Sequence, residues 1–282
     1  MPTRLFDFTG AANHRLAGRI EQPEGRIRGW ALFAHCFTCG KDNIAAVRIS
    51  RSLAGAGIGV LRFDFAGLGA SDGAFADTSL GADVGDLIAA ANAMTAADMS
   101  PSLLIGHSLG GAAVLAAAGD LPSIKAVATI GAPFEPAHVL RQFDPAALAA
   151  IEAGGSADVK LAGRPFTIGK GFVDDIRKHD LGSHITALHR ALLVMHAPRD
   201  TTVGVENATR IFIAARHPKS FVSLDEADHL LSDRRDADYA AGVIAAWTGR
   251  YLTEPAAGEP PADAEPAEAH AEAMAQIAER HG

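Results

Sequence analysis

Mainly apolar runs of strand length alternate with amphipathic or alanine-rich stretches along most of the chain, and this alternation sets the reading of its fold. Residues 30–35, 58–64, 102–105, 124–130, 191–196 and 220–224 are such runs, the pattern of strands buried on both faces. Residues 43–56, where Ile44, Val47 and Leu53 fall roughly on one side, and residues 80–97, 111–118, 204–215 and 236–252 read as helices. Ahead of them, residues 4–8 and 14–21 form an antiparallel lead-in pair of strands around the turn at 9–13. Eight strands alternating with helices at this spacing predict an α/β protein. Its sheet is mostly parallel, with helices on both faces.

The alternation breaks once. Residues 134–188 hold helical pieces and a Gly154-Gly155 turn but no strand of the main sheet, so they read as a small helical lid inserted over the C-terminal strand ends. From Glu254 the composition shifts to Pro, Ala and Glu. The expected organisation is one catalytic domain over residues 1–253 and a tail or linker over 254–282, with a short helix near 265–280. No internal repeat is visible.

Composition narrows the picture. A chain of 282 residues with 48% hydrophobic residues has ample material for one core. A net charge of −8 argues against nucleic acid or an anionic membrane as partner. Two cysteines supply no disulfide framework, and residues 1–7 lack the apolar centre of a signal peptide. A soluble cytoplasmic protein is the expectation.

Candidate chemistry starts at Gly106-His107-Ser108-Leu109-Gly110, between the strand at 102–105 and the helix at 111–118. A Gly-x-Ser-x-Gly turn in that setting is a nucleophile elbow. Ser108 must sit in a sharply turned conformation, with Gly106 and Gly110 small enough to clear the neighbouring strand and helix. The helix N-terminus points partial positive charge at an oxyanion formed beside Ser108. A serine hydroxyl needs a base, and the base an acid, in the order Ser, acid, His along such a chain. Asp200 lies directly after the strand at 191–196, and His229 directly after the strand at 220–224. Taken singly, an Asp in a Pro-containing loop is a turn former, and one His among 12 is unremarkable. Their order and strand-end positions carry the assignment. Asp225 and Asp228 are rival acids, but they share the short loop of His229 and are poorly placed to approach its Nδ1.

The oxyanion hole needs two backbone N–H groups. Those of Leu109 and of Phe37, in the loop after the strand at 30–35, are the expected donors. Cys36 and Cys39 flank Phe37. They lack the context of a redox C-x-x-C and read as two buried thiols lining the site, with a reversible disulfide as the alternative. No His/Asp cluster has metal-ligand spacing, and Met94, Met99 and Met195 read as core filler. The glycine-rich stretch 64–71 lacks the Lys-Ser/Thr of a phosphate loop and a complete dinucleotide fingerprint, and reads as a loop rimming the site. No cofactor or metal is expected.

With these residues in hand, the chain resembles the α/β-hydrolase superfamily over residues 4–252, on His35-Cys36-Phe37-Thr38, the 64–71 loop, Gly106–Gly111, Asp200 and His229. It is similar, more closely, to the hydrolase half of bacterial fusion proteins that carry an OsmC-like domain at the C-terminus. The matching phrases are His35-Cys36-Phe37-Thr38-Cys39, Arg62-Phe63-Asp64-Phe65, Ala128-Thr129-Ile130-Gly131-Ala132-Pro133, His217-Pro218-Lys219-Ser220-Phe221 and Ala227-Asp228-His229-Leu230-Leu231. The resemblance implies a triad of Ser108, Asp200 and His229, oxyanion donors at Phe37 and Leu109, and an OsmC-like domain or partner. The sequence departs from the fusions by ending where that domain would begin, and Cys36 stands where many esterases have Gly. The expected function is a serine carboxylesterase for short- to medium-chain esters. An acyl thioesterase would use the same triad and be marked by a basic patch. A non-catalytic binding or accessory module for an OsmC-like redox partner would be marked by a lid that blocks Ser108.

Overall fold

The six apolar runs, with parts of the two lead-in segments, become the strands of one eight-stranded sheet. These are β1 (Thr3–Leu5), β2 (Gly18–Glu21), β3 (Gly29–Ala34), β4 (Ile58–Phe63), β5 (Leu103–His107), β6 (Ala126–Ile130), β7 (Ala191–His196) and β8 (Lys219–Ser223). The computed structural model of the protein describes residues 2–161 and 163–252; the expected tail over 254–282, with its helix near 265–280, lies outside the described residues. Strand order is β1-β2-β4-β3-β5-β6-β7-β8. The β1–β2 and β2–β4 pairs are antiparallel, and every pair from β4 to β8 is parallel.

Helices follow in chain order: α1 (Ile44–Gly55), α2 (Leu80–Ala96), α3 (Leu109–Ala117), α4 (Pro145–Gly154), α5 (Lys170–Lys178), α6 (Leu181–Thr186), α7 (Glu206–Ala214) and α8 (Arg234–Trp247). The central strands are buried on both faces, so they read as continuous apolar runs. Successive strand residues feed opposite cores. Leu32, Leu61, Leu104 and Leu192 pack with Leu87, Val114 and Ile211 from α2, α3 and α7. Phe33, Val60, Ile105 and Leu193 pack on the other face with Ile49 and Leu53 of α1 and Ile244 of α8. Met94 and Met99 belong to the first core and Met195 to the second. Side-chain caps fix helix starts, among them those of α1 and α2: Asn43 Oδ1 accepts from Ala45 N at 3.0 Å, and Ser79 Oγ from Ala82 N at 3.0 Å.

Two regions differ from the expected pattern. The lead-in pair is not one hairpin: β1 pairs with β2, whereas Phe8–Thr9 and Arg15–Leu16 form a separate two-stranded ribbon. Each expected strand is broken where Asp7 Oδ1 accepts from Gly18 N and Phe6 N donates to the Gly18 carbonyl. The insertion over 134–188 holds α4–α6 and also an antiparallel hairpin, Ser156–Leu161 with Arg164–Gly169. Only Val159, Leu161 and Ile168 of that hairpin are buried, and charged residues and Pro165 interrupt the rest. Its strands therefore lack an apolar run to reveal them.

Candidate active site

The elbow between β5 and α3 puts Ser108 at φ 56°, ψ −126°, a backbone conformation that side chains rarely adopt. Backbone bonds fix it: Ser108 N donates to the Ile130 carbonyl and Gly111 N to the Ser108 carbonyl, both at 2.8 Å. A Cβ at Gly110 would overlap the carbonyl oxygens of Ala34 and His35, and one at Gly106 the carbonyl of Gly110. The two glycines are thus required by close backbone approach.

β7 and β8 deliver the two partners. His229 Nδ1 lies 2.6 Å from Asp200 Oδ2, and His229 Nε2 lies 2.9 Å from Ser108 Oγ. A carboxylate only accepts, so Nδ1 carries the proton and Nε2 is free to accept from the serine hydroxyl. Asp200 Oδ1 accepts from Thr202 N at 2.8 Å and Val203 N at 2.9 Å. Burial pushes the Asp200 carboxyl up, but the bonds from His229, Val203 and Thr202 outweigh it and leave it below its usual value. The rival acids are engaged elsewhere. Asp228 Oδ1 accepts from Leu230 N and Ser232 N at 3.0 Å, and Asp225 Oδ1 from Ser223 Oγ at 3.0 Å.

Two further histidines buttress this arrangement, and the sequence reading did not single them out. His107 Nε2 donates to the His229 carbonyl at 2.7 Å, and its ring lies 5.4 Å from the His229 ring. Burial first, then the charge of His229, lowers His107 to about 4, so it is a neutral donor. His196, at the end of β7, donates from Nε2 to the Val203 carbonyl at 2.7 Å and steadies the turn that binds Asp200. Burial lowers its pKa too.

The N–H groups of Phe37 and Leu109, the expected oxyanion donors, make no internal hydrogen bond among the described residues. Phe37 stacks on Phe172 of α5 with ring centroids 4.8 Å apart and also meets Phe75 at 5.3 Å. Cys36 and Cys39 are joined by a disulfide, which corrects the reading of two separate thiols; their Cα atoms are 5.2 Å apart, inside the range a disulfide spans. Beneath this loop lies an ion network. Asp64 Oδ1 accepts from Lys41 N, and Asp64 Oδ2 from Lys41 Nζ, both at 2.6 Å, with Ala70 N adding a third bond at 2.9 Å. Arg62 donates to Glu21 Oε1 and the Lys41 carbonyl, both at 2.6 Å, and to Asp42 Oδ1 at 2.8 Å. The signal for it was present as charges inside the otherwise apolar run 58–64, but their charged partners are 20 or more residues away.

Ser108 and His229 open onto a cavity of about 900 Å³, walled by the 36–43 loop, the glycine-rich loop at Gly67–Ala70, and Val139, Gln142, Arg164 and Phe166 of the insertion. A serine hydroxyl facing a histidine that a carboxylate orients, two unused amides and an open cavity are a set of groups that can support acyl transfer.

Comparisons with known proteins agree with this architecture. A family model described as serine aminopeptidase, S33 matches residues 41–156. No curated protein matches the chain. Among solved structures, the esterase domain of a Rhodothermus marinus protein is 47% identical, with 90% of this chain and 100% of that one covered at a TM-score of 0.75. Est1E from Butyrivibrio proteoclasticus, solved with ferulic acid bound, is 19% identical and shares the fold over 87% of this chain and 97% of its own, at a TM-score of 0.71. XC6422 from Xanthomonas campestris, described as an α/β serine hydrolase without a lid, is 18% identical over 91% of this chain and 99% of its own, at a TM-score of 0.63. Given the close identity to the Rhodothermus esterase domain across that domain's full length, this chain belongs to the α/β-hydrolase family.

Proposed function

We propose that the protein is a serine carboxylesterase acting on short- to medium-chain esters through an acyl-enzyme. The observation that carries the reading is the continuous relay from Asp200 through His229 to Ser108, at 2.6 and 2.9 Å, opening onto a cavity. In this mechanism His229 Nε2 takes the Ser108 proton as Oγ attacks the ester carbonyl, and Asp200 stabilises the imidazolium. The amides of Leu109 and Phe37 bind the oxyanion of the tetrahedral intermediate. His229 then protonates the leaving alcohol, and the acyl group stays on Ser108. A water deprotonated by His229 attacks the acyl carbonyl, and Ser108 leaves with the proton returned. The cavity beside Ser108 counts against a lid-blocked, non-catalytic module. The esterase naming of the Rhodothermus relative favours an oxygen ester.

The test is hydrolysis of 4-nitrophenyl esters from acetate to palmitate by wild type and Ser108→Ala. Ser108→Ala is expected to lower kcat by about 10⁴-fold or more, with wild-type activity highest on the shorter chains. Equal rates in the two proteins would remove Ser108 as nucleophile.

A further inference from the structure

We propose that Arg164 is a specificity residue that binds a carboxylate carried by the ester, so that the preferred substrates are anionic esters. The inference rests on the esterase reading above and names its substrate class. Arg164 opens the second strand of the insertion's hairpin and lines the same cavity as Ser108 and His229. Its guanidinium donates from Nη2 to the Thr38 carbonyl and lies 5.2 Å from the centre of the Phe166 ring. Both partners are neutral. Among the described residues no carboxylate pairs with it.

The other groups with fixed charge on the cavity wall are compensated. Lys41 Nζ is 2.6 Å from Asp64 and 3.5 Å from Asp42, and Asp42 also meets Arg62 at 2.8 Å and Arg19 at 3.4 Å. Arg164 therefore carries the uncompensated charge at this wall. A guanidinium has five donors in a planar fork, so one bond to Thr38 leaves an edge for a carboxylate. Gln142 lines the cavity as well, and its side-chain amide has no hydrogen-bond partner among the described residues. One unpaired guanidinium matches one negative charge, and its planar fork matches the two oxygens of a carboxylate.

The test compares matched esters in wild type, Arg164→Gln and Arg164→Lys. One pair is mono-4-nitrophenyl glutarate beside 4-nitrophenyl pentanoate, with the charge on the acyl side. The other is 4-acetoxybenzoate beside phenyl acetate, with the charge on the leaving group. In at least one pair, Arg164→Gln is expected to lower kcat/KM for the anionic member by about 10- to 100-fold through KM. The neutral member stays unchanged, and Arg164→Lys restores part of the loss. Equal loss on both members would make Arg164 a mere latch between the hairpin and Thr38, and would overturn the proposal, as would no change on either. Calorimetric titration of monomethyl glutarate into Ser108→Ala, with and without Arg164→Gln, separates this inference from the esterase reading. If wild type cleaves no ester but the titration shows Arg164-dependent binding, the carboxylate subsite stands and the esterase reading falls. If wild type cleaves neutral and anionic esters alike and Arg164→Gln changes neither hydrolysis nor binding, the subsite falls and the esterase stands.

Discussion

Asp200 accepts from three donors, one of them on the side chain it serves. Replacing it with Asn keeps the shape but removes the negative charge, and an amide NH₂ facing Nδ1 favours the wrong imidazole tautomer. Asp200→Asn is therefore expected to lower kcat by about 10³- to 10⁴-fold with little change in KM, as steady-state kinetics on a short ester would read. His107 affects stability in a pH-dependent way. Its folded-state pKa is about 4 against the usual 6.5, so between these values the unfolded chain binds a proton that the fold does not. Stability falls as pH drops from 6.5 towards 4, by up to on the order of 3 kcal/mol from this residue, and no further below. Burial holds His35 and His196 below their usual values as well, which gives the same sign. His107→Gln keeps a donor for the His229 carbonyl but does not titrate. Urea unfolding at pH 7.5 and 4.5 is expected to show a smaller stability loss in this variant than in wild type.

At the scale of elements, the loops that line the candidate site are held by ties that run between loops. The 36–43 loop is closed on itself by the Cys36–Cys39 disulfide, stacked on α5 through Phe37 and Phe172, and tied to the glycine-rich loop through Asp64. Asp64→Asn would leave the buried Lys41 ammonium with Asp42 at 3.5 Å as its remaining acid. The expected cost is about 3 kcal/mol of stability, with a drop in kcat as the loop bearing the Phe37 amide loosens. Thermal unfolding beside ester hydrolysis below the transition would read both. These ties also mark what a sequence reader can and cannot see. β4 to β7 were legible because burial on both faces makes a strand uniformly apolar. Asp200 and His229 were picked out by their places after strand-length runs, and the structure brings both together beside Ser108, although β8, which precedes His229, is a half-buried edge strand. The hairpin at 156–169 was not, since one buried face among charged residues leaves no period strong enough to notice. Nor were the pairings of Asp64 with Lys41 and Arg62 with Glu21, 23 and 41 residues apart, because charge–charge pairing across loops leaves no local pattern. Cys36 and Cys39 misled in the opposite sense: the missing redox-helix context says nothing about whether two cysteines in a tight turn lie close enough to bond.

At the scale of the whole molecule, the sheet divides the interior into two cores with different relations to the site. The core under α1 and α8 contains Leu53, fully buried among Phe33, Ile49 and Ile58, on the face away from the insertion. The other core extends into the insertion and reaches the 36–43 loop, where buried Phe172 carries the stack on Phe37 and also faces Phe143 at 6.3 Å. Leu53→Ala and Phe172→Ala each delete a fully buried side chain and are each expected to cost about 2–5 kcal/mol. Their effects on catalysis should diverge. Leu53→Ala leaves the Ser108–His229–Asp200 geometry and the 36–43 loop supported by residues it does not touch, so kcat/KM measured well below its lowered Tm is expected to match wild type. Phe172→Ala removes the surface against which the Phe37 ring is fixed, so the amide between Cys36 and Thr38 loses orientation and kcat falls at the same temperature. Phe172→Leu refills part of the space without the ring face, and should recover more stability than activity. If Leu53→Ala slowed hydrolysis as much as Phe172→Ala at matched distance below their Tm values, the two cores would be coupled through the sheet, and the site would depend on global rigidity instead of on the ties around Phe37.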